Sequence, residues 1–147
     1  MKIILESSEN QEIEVIIKGD INSEEAVRII SALNDASKFS RLVLLRENES
    51  FLYSSDDIIY FYSAQNKTYA VTKNGQYEIK ERLYELSNSL KSKGFIQINK
   101  STVVNINYVK SITAEFSGNY CAVLKGISET LIISRKFFSS FKDFIRR

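Results

Sequence analysis

The chain of 147 residues contains no histidine and no proline, and only one cysteine, Cys121. Without imidazole there is no serine or cysteine hydrolase triad, no helical zinc motif and no phosphorelay histidine. One cysteine excludes an internal disulfide framework and any multi-cysteine zinc site. With no proline, no Gly/Ser-rich linker and no repeat at a solenoid period, any domain junction must be tight. No run approaches the roughly 18 to 20 apolar residues that cross a bilayer. The start, MKIILESSENQEIE, turns acidic after its first residues, unlike a signal peptide. A reduced, cytoplasmic, soluble protein is expected, the size of one ordinary domain or two small ones packed together.

Hydrophobic residues make up 44% of the chain and charged residues 26%, enough for a buried core under a solvated surface. The net charge of +2 conceals a gradient. Residues 1–40 hold four bases against eight acids, and residues 41–147 hold sixteen against ten. From residue 91 onward ten bases face only Glu115, Glu129 and Asp143. Charge segregated in this way points to a basic C-terminal unit that meets an anion, nucleic acid foremost. Solvated lysines on an ordinary surface would give the same balance.

Glu12–Lys18 (EIEVIIK) has the β-branched content of a strand. Asn22, three residues before Glu25, fits a capping box ahead of Ala26, Val27, Ile30 and Leu33 at helical spacing. Residues 23–37 therefore read as an amphipathic helix, and Arg41–Glu47 returns to strand. From Phe51 onward the period is that of sheet. Asp57–Tyr62 is a buried-looking strand, Ser63–Lys67 a polar loop, and Thr68–Thr72 and Gln76–Lys80 flank a tight-hairpin signal at Asn74-Gly75. Leu83, Leu86 and Leu90 place a helix over Glu81–Lys93, with Lys91 and Lys93 at the negative end of its dipole and Gly94 ending it. Strands follow at Phe95–Ile98, Val109–Phe116, Tyr120–Lys125 and Thr130–Ser134, with a turn at Ser117-Gly118-Asn119. A last helix carries Phe137, Phe141, Phe144 and Ile145 on one face. The fold class is α+β, mostly antiparallel β: an acidic α/β extension over residues 1–40, then an antiparallel domain over 41–147.

Two polar islands interrupt the sheet pattern. In the first, Gln97–Asn105, a strand ends in Asn99-Lys100-Ser101 and resumes as Val103-Val104-Asn105. Lysine offers a mobile point charge to phosphate or a base acceptor, and serine a neutral donor to phosphate oxygen. Equally, this is a capped turn in which Asn99 and Asn105 satisfy backbone groups and Lys100 is merely solvated. In the second, Ser134-Arg135-Lys136, an arginine at a strand–helix junction is fixed at its backbone and free at its fork, which suits guanine O6 and N7. The serine hydroxyl could cap the helix and Lys136 could steer phosphate. The bland alternative is Arg135 paired with an acid of a neighbouring strand.

At these islands the chain resembles a known family. Gly94–Ile106 (GFIQINKSTVVNI) is similar to the signature F-x-R-I/V-x-R/K/N-S-x-I/V-V-N of the LytTR DNA-binding domain, and Leu131–Phe137 (LIISRKF) to its terminal V-S-R-R-Y element. The Glu81–Lys93 helix matches the family's L-x-E-L-x-x-x-L segment in placement and spacing. The likeness covers residues 41–147. It implies a bacterial, sequence-specific transcriptional regulator that binds double-stranded DNA at promoter direct repeats. The implied fold is an elongated arrangement of small antiparallel sheets whose loops, rather than a recognition helix, enter the major groove. By motif position three loops would face DNA. One presents Lys67 and Thr68 to a major-groove segment. The next presents Lys100, with Asn99 beside it and Ser101 anchoring a phosphate, while Asn105 fixes its own turn. Arg135 enters the next major-groove segment, with Lys136 nearby. Gln97, Thr102 and Asn99 depart from the arginine, bulky residue and histidine frequent in the family, which bears on the DNA sequence read and not on the fold.

The first forty residues are too short for a receiver domain. Asp56 and Asp57, adjacent in a strand reading, point to opposite faces rather than converging on a metal. The chain thus resembles the family's stand-alone members, some of which are regulated by a membrane protein. The acidic extension could serve such a regulator, a dimer interface, or a lid over the basic face. A homodimer is expected because one such domain buries limited area on DNA. The aromatic residues alternate within strands or lie on the last helix, as core residues do, rather than forming single-strand stacking platforms. Cys121 reads as a small buried apolar residue, and Asp20, Glu24 and Glu25 suit a helix N-terminus without any metal. No nucleophile has a base beside it, so neither catalysis nor a cofactor or metal is expected. The rival reading is a protein-interaction module whose basic face is incidental.

Overall fold

Residues 1–9, 14–38 and 41–146 are described by a computed structural model, in which the chain divides into two units, Met1–Asn34 and Asp35–Arg147. In the first, helix α1 (Glu24–Lys38) begins where the Ser23 hydroxyl accepts the Ala26 N–H at 3.2 Å. The cap is therefore Ser23 rather than Asn22, whose own N–H is taken by the Asp20 carboxylate at 3.1 Å. Glu24 and Glu25 fill the first turn, where the helix dipole favours them. The strand expected over Glu12–Lys18 is not seen in residues 14–18, and Val15 and Ile16 are exposed. A β-branched run becomes a strand only when another strand pairs with it, and no described residue of this unit belongs to a strand. Glu12 and Ile13 lie outside the described residues. What is described of the extension is thus helical rather than α/β.

The second unit is built of hairpins. Strands β1 (Leu42–Arg46) and β2 (Glu49–Tyr53) join through Glu47-Asn48, and β3 (Tyr60–Ala64) and β4 (Lys67–Thr72) through Gln65-Asn66. Both turns hold two residues at positive φ, 49° and 66° in the first, 53° and 64° in the second. That mirror-image geometry matches the twist of paired strands. Ser63–Lys67 is therefore mostly ladder and not loop: Ser63 pairs with Thr68 and Ala64 with Lys67. The strand expected from Asp57 starts later. Ser55–Asp57 form a 3-10 turn, opened by the Ser54 hydroxyl accepting the Asp56 N–H at 3.2 Å. β5 (Gly75–Ile79) follows β4 across Lys73-Asn74.

Helix α2 (Leu83–Ser89) opens with the Arg82 N–H donating to the Glu85 carboxylate at 3.2 Å. It is shorter than Glu81–Lys93, because Lys91–Lys93 tighten into a 3-10 turn before Gly94 at φ 96°. A Cβ on Gly94 would stand 3.1 Å from the Ile106 side chain, so conformation and packing both select glycine. Strands β6 (Phe95–Asn99) and β7 (Thr102–Asn105) complete a seven-stranded antiparallel sheet in the order β2-β1-β5-β4-β3-β7-β6. Strands β8 (Val109–Ala114), β9 (Tyr120–Leu124) and β10 (Thr130–Ile133) form a second antiparallel sheet, and helix α3 (Arg135–Ile145) ends the described chain. This is the mostly antiparallel α+β architecture expected.

Leu44, Phe61, Phe95 and Val103 pack with Leu86 of α2 in one core. Ile98 and Val104 pack with Ile133 and Phe141 in another, which joins β6 and β7 to the small sheet and α3. Strand β7 is buried at all four positions, hence its Thr-Val-Val-Asn run without polar alternation. The last helix uses a shifted face. Phe138 stacks on Tyr120 of β9 with ring centroids 3.5 Å apart, whereas Ile145 remains 45% exposed. Buried Asn105 ties the end of β7 to the segment before β3 and to its own turn: its amide nitrogen donates to the Ile58 carbonyl at 3.0 Å and its oxygen accepts the Asn107 N–H at 3.1 Å. Asn105→Ala strips both partners inside the protein and should cost about 1–3 kcal/mol, read as a lower urea midpoint at unchanged slope.

Candidate nucleic-acid interface

Three chain reversals lie side by side at one end of the sheets: Gln65-Asn66 between β3 and β4, Lys100-Ser101 between β6 and β7, and Ser134-Arg135 between β10 and α3. Hydrogen bonds fasten each to the next. The Ser63 N–H donates to the Ser101 carbonyl at 2.9 Å, and the Ser134 N–H to the Ile98 carbonyl at 2.9 Å. The Asn99 amide nitrogen donates to the Ile132 carbonyl at 2.7 Å. An irregularity in β6 makes the second link: Gln97 faces Val103 and Asn99 faces Thr102, leaving Ile98 without a partner on β7. The β8–β9 turn belongs to the same end, since Tyr120 pairs with both Ala114 and Ile133.

Along this edge the residues divide into those that present and those that fasten. Lys67 is exposed, with its ammonium 3.8 Å from the Glu78 carboxylate, an exposed pair worth about 0–1 kcal/mol and easily released. Thr68 does not join it. Strand alternation turns the Thr68 side chain inward, where it is 4% exposed, so Thr68 is a core residue and not a presented tip. Lys100 stands exposed at its turn. Asn99 is committed within the chain: besides the bond to Ile132, its oxygen accepts the Ser101 N–H at 2.9 Å and the Ser101 hydroxyl at 3.2 Å. Ser101 is exposed, and its hydroxyl can exchange that bond for an outside acceptor.

Arg135, the first residue of α3, is exposed, as is Lys136. Among the described residues no carboxylate lies within 4 Å of Lys100, Arg135 or Lys136. The Ser134 hydroxyl makes no capping bond. The cap comes from Asn119, whose side-chain oxygen accepts the Arg135 N–H at 3.1 Å. The Arg135 side chain runs over Gly118 (φ 89°), where a Cβ would stand 3.2 Å from its Nη1 and 3.3 Å from its Cδ. Two cations and no acid in the first turn oppose the helix dipole, and an arriving anion would relieve that cost. Arg82 adds a further cation, its guanidinium donating to the Asn66 carbonyl at 3.0 Å. Behind the tips Tyr62 stacks on Tyr69 at 5.0 Å, and its hydroxyl bonds the Gln76 amide oxygen. Burial first, and Tyr69 second, push the Tyr62 phenol above its ordinary value, against the Gln76 bond.

Sequence reading missed Asn119, Gly118 and Arg82. The turn at Ser117–Asn119 was legible, but a cap reaching across sixteen residues has no local signature. Cys121, expected to be buried, is only partly so. Among the described residues no three acidic or cysteine side chains cluster to hold a metal, and no helix is long and apolar enough to cross a membrane.

A family model described as the LytTr DNA-binding domain matches residues 48–146, which include every tip described above. A protein of Staphylococcus aureus (strain MRSA252), named an uncharacterized HTH-type transcriptional regulator, is 35% identical over 115 residues, 78% of this chain and 77% of its own. Another of that name, from strain NCTC 8325 / PS 47, is 34% identical over the same shares. Among solved structures, the LytTr DNA-binding domain of a Bacillus cereus protein matches with a TM-score of 0.68 at 21% identity, covering 72% of this chain and 96% of that one. The fold is shared. No helix-turn-helix occurs among the described residues: α2 leads into β6, and α3 follows β10.

Asn99→Ala should unfasten the Lys100 turn from β10. The expected result is faster amide exchange at Ser101 and a stability loss of about 1–2 kcal/mol in urea; unchanged exchange would leave Asn99 without the fastening role.

Proposed function

The chain belongs to the LytTr DNA-binding domain family, and on that premise we propose that it is a sequence-specific transcriptional regulator reading the major groove through turns at one sheet edge. The observation that carries this reading is the fastened row of cationic tips. Arg135 reads guanine O6 and N7 with its fork, Lys136 holds phosphate, and Lys67, once released from Glu78, serves the neighbouring groove segment. Lys100 meets a base edge or phosphate between them, with the Ser101 hydroxyl on phosphate oxygen. Asn99 and Asn119 position these tips without touching DNA. Such a ligand places the protein in the bacterial cytoplasm. The family is one of DNA-binding domains and not of enzymes.

Two copies on direct repeats complete the proposal, since a single domain of this size buries limited area on DNA. The first unit leaves Leu5, Ile16 and Val27 at 90%, 68% and 54% exposure, apolar side chains available to a second copy. Sedimentation of the full chain should give the mass of two chains, and Val27→Glu should shift it toward one.

With about five phosphate contacts, log affinity should fall against log salt with a slope of roughly −4 to −5. Arg135→Ala should cost about 1–3 kcal/mol on a duplex selected from a random pool, and relax preference at one base position. Equal binding of parent and variant to selected and scrambled duplexes would remove Arg135 from the reading. Free passage of the full chain through a duplex-DNA column at low salt would favour the protein-interaction alternative.

A further inference from the structure

We infer that Phe116 is an additional base-reading residue, an apolar tip that packs on a thymine 5-methyl group beside the base met by Arg135. The inference rests on the reading of this edge as duplex-facing. Phe116 is 114% exposed, so its whole ring stands in water, whereas the other exposed large apolar residues of the second unit keep part of their surface covered. Its backbone is held by a hydrogen-bonded turn. The Gly118 N–H donates to the Glu115 carbonyl at 3.1 Å, and the Glu115 N–H to the Asn119 carbonyl at 2.9 Å. The Asn119 N–H donates to the Ser117 hydroxyl at 3.3 Å. This is a turn closed by a glycine bulge at positive φ, with Phe116 at its first corner.

That turn is tied to Arg135 twice, through the Asn119 cap and through Gly118 beneath the arginine stem. Phe116 lies two positions before Gly118, at most about 7.6 Å of backbone away. Along a duplex this is roughly two base pairs, at about 3.4 Å each. The ring thus reaches the same groove as the guanidinium. The apolar group that a major groove offers is the thymine methyl, and phenylalanine is among the side chains that contact it. Scattered exposed apolar residues need no explanation on a protein surface. A fully bare ring on the turn that holds Arg135, at the edge that carries the other tips, is a different case.

The test uses the full chain and a labelled duplex that the parent selects from a random pool. Phe116→Ala should fold as the parent does, because the ring covers nothing. Its affinity for the selected duplex should drop about 5- to 10-fold, with scrambled duplex and salt slope unchanged, since no phosphate contact is lost. Deoxyuridine in place of thymine, within three base pairs of the position that depends on Arg135, should weaken the parent about fourfold, as one methyl group warrants. The same change should leave Phe116→Ala unaffected. The inference is overturned if the variant binds as the parent does, if its loss is equal on scrambled duplex, if the deoxyuridine penalty persists in the variant, or if no thymine lies in that window. Should the parent enrich no sequence at all, the duplex-facing reading falls with it; enrichment that needs Arg135 but not Phe116 sinks only the inference.

Discussion

Ile98 has no partner on β7, and the geometry of the whole edge follows from that one missing pairing. An extra residue in an antiparallel ladder reverses which way the following groups point. Here the Ile98 side chain enters the second core, its carbonyl takes the Ser134 N–H, and the Asn99 amide reaches the Ile132 carbonyl. A regular ladder in β6 would break that combination, and the two sheets would lose their common end. The tips are in a row because their scaffolds are joined there, and not because the tips attract one another; cations repel.

A division of labour results. Amide side chains do the fastening: Asn99 between the sheets, Asn105 between the end of β7 and the segment before β3, Asn119 at the start of α3. Their bonds are neutral and short-ranged, so they persist at any salt concentration. Among the described residues the tips' cations are left without carboxylate partners, apart from the weakly held Lys67. Long-range attraction and local rigidity therefore rest on different residues, and each can change without disturbing the other.

Much of this was legible in the sequence. The leucine stripe ending at Gly94, the Asn74-Gly75 hairpin and the two islands around Lys100 and Arg135 all stand close to where their patterns put them. The misses share a cause, which is that the deciding partner is remote or not of the expected type. Glu47-Asn48 and Gln65-Asn66 form tight left-handed turns with no glycine to announce them, so one hairpin goes unseen and one ladder end reads as loop. Thr68 looks as polar as Lys67, yet alternation buries one and exposes the other. Phe138 is drawn to α3's inner side by the Tyr120 ring, a residue of another strand. The β-branched run ending at Lys18 shows the converse: strand content, with nothing described for it to pair with.

The left-handed pair Gln65-Asn66 carries an evolutionary consequence. Both positions sit where β-branched and bulky residues are strongly disfavoured, so drift at this corner is confined to a short alphabet in which glycine, asparagine and aspartate dominate. Lys100 carries no positive φ, and its side chain is exposed. The middle tip is therefore free to vary while the first corner stays almost frozen, so change along this edge should be uneven.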